Sequence, residues 1–160
     1  MTKILVLSDS HGNVNNMKKA VEEVKPDMII HLGDCYPDGQ RLKAAYPDIP
    51  FEGVPGNCDC TMADAEKLLT IEGKRFLICH GHTYNVKSSY LRIDMAGSEK
   101  GADVILFGHT HKAYCDLNNG HILLNPGSVG SPGWLSRPTY AVITVDEASG
   151  NIHYETAYLE

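Results

Sequence analysis

Short apolar stretches of this chain end, one after another, on clusters of Asp, Asn and His, and that repeated ending constrains the fold more than any other feature. An apolar run at 3–7 leads into Asp9-Ser10-His11-Gly12, and one at 27–32 leads into Gly33-Asp34. A run at 51–54 stops at Pro55 and opens onto Gly56-Asn57-Cys58-Asp59. The run at 75–79 ends in His80-Gly81-His82, and the one at 104–107 in Gly108-His109-Thr110-His111. β-Branched and aliphatic runs of this length, bounded by Gly, Pro and Asp, read as buried strands. Ligands of open α/β sheets bind beyond the carboxyl ends of the strands, so five such endings are expected to converge on one edge.

Helical spacing fills the gaps in the first half. Val14, Met17, Ala20, Val21 and Val24 recur on one face before Pro26, and a weaker helix is expected at 40–45, between Pro37 and Pro47. A third helix is expected at 88–100. The remainder reads as hairpins: 67–71 with 75–79 around Glu72-Gly73-Lys74, and 113–117 with 121–124 around Asn118-Asn119-Gly120. The last pair is 139–145 with 152–158, where Ile152, Tyr154, Thr156 and Tyr158 alternate with His153 and Glu155. A βαβ beginning followed by hairpins predicts an α/β fold of two packed sheets with helices outside. No repeat or linker interrupts it, so one domain over 1–160 is expected.

Composition narrows the class. A chain of 160 residues buries roughly 70% of its unfolded surface, enough for a core without staples. Its 42% hydrophobic and 21% charged residues are ordinary for a globular protein. No apolar run approaches the ~20 residues of a membrane span or forms a signal peptide. Five cysteines without framework spacing point to reduced thiols and a cytoplasmic setting. A net charge of -6 with no Lys/Arg run argues against an extended nucleic-acid surface.

The polar endings hold seven candidate metal ligands: Asp9, His11, Asp34, Asn57, His80, His109 and His111. Imidazole and carboxylate without thiolate suit first-row divalent ions. Seven ligands are too many for one ion but suit two if a carboxylate bridges, and Asp34 is the natural bridge. Two divalent ions, two aspartates and a bridging hydroxide sum to a net positive charge, which draws an anion into an otherwise acidic protein.

In order and placement, Asp9-x-His11, Gly33-Asp34, Gly56-Asn57-x-Asp59, His80 and Gly108-His109-x-His111 resemble the calcineurin-like metallophosphoesterase superfamily. The short chain, Gly56-Asn57-Cys58-Asp59 and Asn125-Pro126-Gly127-Ser128 resemble its small bacterial and archaeal YfcE-type phosphodiesterase branch. The resemblance runs from Ile4 to the last hairpin. It implies a four-layer α/β/β/α sandwich and a dinuclear site, with Asp9, His11, Asp34 and His111 on one metal and Asp34, Asn57, His80 and His109 on the other. It also implies a metal-dependent phosphoesterase in which hydroxide attacks phosphorus, a small-molecule phosphodiester as substrate, and Mn2+ as the first expectation ahead of Ni2+, Fe2+ or Zn2+.

One position departs from the family. Much of the superfamily has a proton-donating His after Gly-Asn, and here Cys58 occupies that place. A neutral thiol is a poor donor to an alkoxide, and losing a general acid costs about 10²–10⁴-fold. Asp59, which elsewhere orients that His, lacks its partner. Asp34, Cys58 and Asp59 are thus the catalytic candidates, and Asn13 and Asn57 the substrate-binding ones.

Blander readings accompany several residues. His31, His121 and His153 read as structural, and His82 as a loop hydrogen-bonding group beside the site. Cys58 and Cys60 read as unrelated thiols, and Asn13 serves equally as a helix cap. Gly127-Ser128-Val129-Gly130 is either a phosphate-facing loop or a plain one. Two other functions compete. Cys35 and Arg41 have the Cys-x5-Arg spacing of thiol phosphatases, although Asp34 beside Cys35 disfavours a thiolate. A non-catalytic protein-binding scaffold, resembling a retromer subunit of the same fold, is the other. A homodimer is compatible with the hairpin edges.

Overall fold

The computed structural model describes residues 1–59, 64–130 and 137–160. Cys60 lies outside them. The first sheet has the order β10-β9-β1-β2-β3, from β1 (Thr2–Leu7), β2 (Met28–His31), β3 (Phe51–Gly53), β9 (Thr139–Val145) and β10 (Ile152–Tyr158). The second has the order β4-β5-β6-β8-β7, from β4 (Glu66–Ile71), β5 (Lys74–Cys79), β6 (Val104–Leu106), β7 (Ala113–Asn118) and β8 (His121–Pro126). In the first sheet the parallel strands β1-β2-β3 form one side and the antiparallel hairpin β9-β10 the other; in the second the parallel strands β5-β6-β8 form the centre, with antiparallel β4 and β7 at the edges.

Both faces of the central strands are buried, which explains runs that are apolar throughout rather than alternating. Ile4, Val6, Ile30 and Leu32 point inward and meet Phe76, Ile78, Leu106 and Leu124 of the opposite sheet. Leu5, Leu7 and Ile29 point outward against Met17, Ala20 and Val21 of α1 (Val14–Val24) and Leu42 of α2 (Tyr36–Ala45). The other outer face packs Leu77 and Ile105 on Ile93 of α3 (Leu91–Glu99). Each such aliphatic side chain contributes about 1.5–3 kcal/mol by burial. The layers are therefore α/β/β/α.

Two helix starts differ from the sequence expectation. α2 begins at Tyr36, with Pro37 inside its first turn. The missing N–H of proline has no acceptor to lose there, so Pro37 opens the helix instead of bounding it. α3 begins at Leu91 and not at 88, because the N–H groups of Ser88 and Ser89 both donate to the Asn85 carbonyl in a preceding turn. No helix among the described residues is long and apolar enough to cross a membrane.

Candidate metal centre

The parallel strands of both sheets deliver their last residues to one end of the sandwich. Asp9 and His11 follow β1, Asp34 follows β2, His80 follows β5, and His109 and His111 follow β6. Ligand atoms of Asp9, His11, Asp34 and His111 all lie within 4.8 Å of one another, as do those of Asp34, His80 and His109. Asp34 belongs to both groups. Asp9, His11, Asp34, His109 and His111 all have positive φ, a left-handed backbone that L side chains rarely adopt. Five such residues at one edge mark a place where the surrounding fold holds strain for a purpose.

Asp9 shows what the arrangement wants. It is fully buried, and its Oδ2 accepts from Ser8 Oγ at 2.6 Å and from the His109 N–H at 3.1 Å. Its Oδ1 is buried with no hydrogen-bond partner among the described residues. That oxygen lies 3.2 Å from His111 Nε2 and 3.9 Å from the Nε2 atoms of His11 and His80. His11 Nε2 and His111 Nε2 approach to 3.3 Å, and His80 Nε2 and His109 Nδ1 to 3.1 Å. Lone pairs aimed at one another around an unsatisfied carboxylate oxygen fit a cation between them.

The supporting bonds fix which atom each ligand offers. His80 Nδ1 lies 2.8 Å from the Leu32 carbonyl, which takes its proton and leaves Nε2 for the site. Asp34 Oδ1 accepts the Cys58 N–H at 3.1 Å, and its Oδ2 faces His80 Nε2 at 3.4 Å and His11 Nε2 at 4.0 Å. Gly56 makes this possible, since a Cβ there would sit 2.2 Å from Asp34 Oδ1. Gly108 is equally confined, its Cβ position lying 2.1 Å from Ser8 Oγ.

Charge is shared accordingly. Burial pushes the Asp34 carboxyl up, but the hydrogen bond and charge of His80 outweigh it and hold the group well below the carboxylate range. Burial also works against Asp9, which the adjacent His111 imidazole and the His80 charge bring below its ordinary value. The adjacent Asp9 carboxylate raises His111, and Asp34 and Asp9 raise His80 against its burial. His109 moves the other way, lowered to about 4 by burial and then by the charges of His80 and Lys87.

Known proteins share the sequence pattern and the fold. The calcineurin-like phosphoesterase superfamily domain matches residues 2–148. The chain belongs to that superfamily. A probable metallophosphoesterase of Bacillus subtilis, YsnB, is 32% identical over 155 residues, covering 94% of this chain and 89% of that one. Phosphodiesterase MJ0936 of Methanocaldococcus jannaschii is 26% identical, covering 91% and 94%. Among solved structures, a conserved Streptococcus pneumoniae protein described as a predicted phosphoesterase superposes with a TM-score of 0.77 at 23% identity, covering 98% of each chain. Vps29 of Entamoeba histolytica, solved with zinc, shares the fold with a TM-score of 0.73 at 16% identity, covering 99% of each chain.

The superfamily is metal-dependent, and the two donor groups are candidates to hold metal; the remaining candidates sort by position. Asn57 is exposed in the loop after β3. Cys58 is exposed too, and the charge of Asp34, followed by burial, raises its thiol above the ordinary value. Asp59 accepts the Gly56 N–H and the Tyr36 N–H, each at 2.8 Å, and so clips this loop to the start of α2. Asn13 caps α1, accepting from the Asn16 N–H at 3.1 Å, while its amide nitrogen reaches the Gly130 carbonyl at 3.5 Å. Both ends of Asn13 are thus engaged within the protein.

His82 lies beside the site, its ring 5.6 Å from that of His80, and its Nδ1 is buried without a partner among the described residues. His121 is buried against Asp94, and His153 is exposed on β10. Cys35 and Arg41 do not form a thiolate cradle. Burial and Asp38 raise the Cys35 thiol, and Arg41 pairs with Asp38 at 3.4 Å.

Sequence reasoning missed the buried supports. Ser10 Oγ donates to Asp38 Oδ2 at 2.8 Å and lies 3.1 Å from His31 Nε2, while the Gly12 N–H donates to the same Asp38 oxygen at 2.6 Å. The available signal was two serines alternating with Asp9 and His11 just beyond the apolar run at 4–7.

Proposed function

We propose that the protein is a dinuclear metal-dependent phosphodiesterase, acting on a small-molecule phosphodiester. One observation carries this reading: two donor groups share Asp34, around a buried Asp9 oxygen that nothing else satisfies. Asp9, His11, Asp34 and His111 would hold one ion, and Asp34, His80 and His109 the other, with Asn57 as the remaining ligand. Mn2+ is the first expectation, followed by Ni2+, Fe2+ and Zn2+. When bound, such ions supply Lewis-acid polarisation of phosphoryl oxygens and an activated water at neutral pH.

The chain itself supplies aim and selectivity. Ser8 and the His109 N–H turn Asp9 Oδ1 into the site, the Cys58 N–H fixes Asp34, and the Leu32 carbonyl fixes the His80 tautomer. Cys58 keeps its proton beside Asp34 and is a weak acid towards a departing alkoxide. Esters with good leaving groups therefore suit this site best. The names of MJ0936 and of Escherichia coli YfcE, both phosphodiesterases, support diesters over monoesters. A full set of competent donors favours catalysis over the scaffold role.

The test is to strip the protein with a chelator, assay bis(p-nitrophenyl) phosphate, and restore Mn2+, Ni2+, Zn2+ or Mg2+ separately. Activity should vanish and return with a transition metal. Hydrolysis that survives chelation but dies on thiol alkylation would transfer the reaction to Cys35 and Arg41. No hydrolysis with any metal would leave the scaffold reading.

A further inference from the structure

A cavity of about 520 Å³ adjoins the metal centre, and its lining includes Lys87, Ser88, Ser89, Tyr90, Thr110 and Lys112. Thr110 is the shared wall, because it stands between His109 and His111. Asn125 Nδ2 holds that wall in place, donating to Thr110 Oγ1 at 2.9 Å and to the Gly108 carbonyl at 3.0 Å. Tyr90 forms a fixed side, packed edge-on against Phe107 and Tyr114 at 5.0 and 4.8 Å. The volume is that of a small-molecule site, far larger than one phosphate requires.

The cavity is cationic in a protein of net charge -6. Arg41, Lys67 and Lys100 pair with Asp38, Glu52 and Glu66, but among the described residues no carboxylate pairs with Lys87 or Lys112. Both lysines are exposed. Lys87 lines the same cavity as Thr110, the residue between His109 and His111, which places it beside the metal centre. Residues Ser88 to Tyr90 lead directly into α3, whose N-terminal end adds partial positive charge. Asp94 is buried, engaged by His121 and, at 2.8 Å, by Asn119 Nδ2.

We propose that this cavity receives a second phosphate group of the substrate, bound by Lys87 and Lys112 while the scissile phosphodiester lies at the metal centre. The inference rests on the phosphodiesterase reading and names its substrate class: a nucleotide-sized diester that carries a further phosphomonoester. A dianion matches two unpaired ammonium groups, and lysine binds phosphate as a point charge without needing a planar, two-pronged partner.

The test compares thymidine 3′,5′-bisphosphate with thymidine 5′-monophosphate by calorimetry, on the manganese-loaded full chain and on a K87Q/K112Q variant. The bisphosphate should bind the natural protein about 10-fold more tightly, as two charge-assisted contacts allow. That preference should shrink as salt rises, a comparison that needs no variant. In K87Q/K112Q the affinity ratio should fall to about one. Equal affinities in the natural protein, or a ratio unmoved by the double substitution, would overturn the proposal. Metal-dependent diester hydrolysis with a flat ratio would remove the phosphate pocket alone. A preserved ratio without hydrolysis would remove the phosphodiesterase reading alone.

Discussion

Asp34 owes its place between the two donor groups to a neighbour with no side chain. The Cβ of an alanine at Gly56 would sit 2.2 Å from Asp34 Oδ1 and 2.6 Å from its backbone nitrogen. Gly56→Ala should weaken metal binding about 10–100-fold, as loss of a ligand's support does, measurable by competition with a chelating dye; unchanged affinity would mean Asp34 tolerates the shift. His31 allows a pH test. It is buried, with its pKa lowered from 6.5 to about 4, chiefly by burial. The unfolded chain therefore takes up this proton first as pH falls. The stability His31 contributes is full above pH 6.5 and is lost on the way down to about 4. Between pH 7 and 5 that loss is about 2 kcal/mol. Urea melts of metal-free protein at both pH values should show a loss smaller by that amount in His31→Gln. Parallel losses would place the proton elsewhere. The clustering of candidate metal donors was legible because so few residue types can do such work. His31 was not, because a histidine in a strand announces neither its burial nor its partner Ser10.

At the scale of elements, α2 has a task that its sequence does not advertise. Its buried Asp38 reaches back to Ser10 and to the Gly12 N–H, and so ties the loop carrying Asp9 and His11 to the helix layer. Asp38→Asn keeps the shape but removes the charge that accepts both bonds. It should cost about 1–3 kcal/mol of stability and lower affinity for the metal that Asp9 and His11 would hold, read in the same melts and dye titrations. Retained affinity would show that the loop holds itself. The strands were legible from apolar runs bounded by Gly and Pro, and α1 from its stripe of Val14, Met17, Ala20, Val21 and Val24. Helix starts were less so. Pro37 reads equally as a boundary or as a first-turn residue, and the clip from Asp59 to the Tyr36 N–H, with the Asp38 N–H donating to the Cys35 carbonyl, marks where α2 begins. The start of α3 depends on the turn at Asn85, whose left-handed backbone carries no strong sequence signal.

For the molecule as a whole, the stacking of two sheets is what makes a site. β1 and β2 bring Asp9, His11 and Asp34 from one sheet, and β5 and β6 bring His80, His109 and His111 from the other. Packing of Ile4, Val6, Ile30 and Leu32 on Phe76, Ile78 and Leu106 holds the two edges in register. That convergence was readable from five polar strand endings, whereas the cationic cavity beside them was not. Lys87 and Lys112 are 25 positions apart, and only the fold shows that they share a wall. The most direct test of the whole account is metal stoichiometry, measured by equilibrium dialysis and elemental analysis of the natural protein and of Asp34→Asn. The account predicts two manganese ions per chain in the natural protein, and weakened binding of both in the variant, because one carboxylate serves both donor groups. Saturation at a single ion, or an Asp34→Asn protein that still binds two ions as tightly, would contradict it.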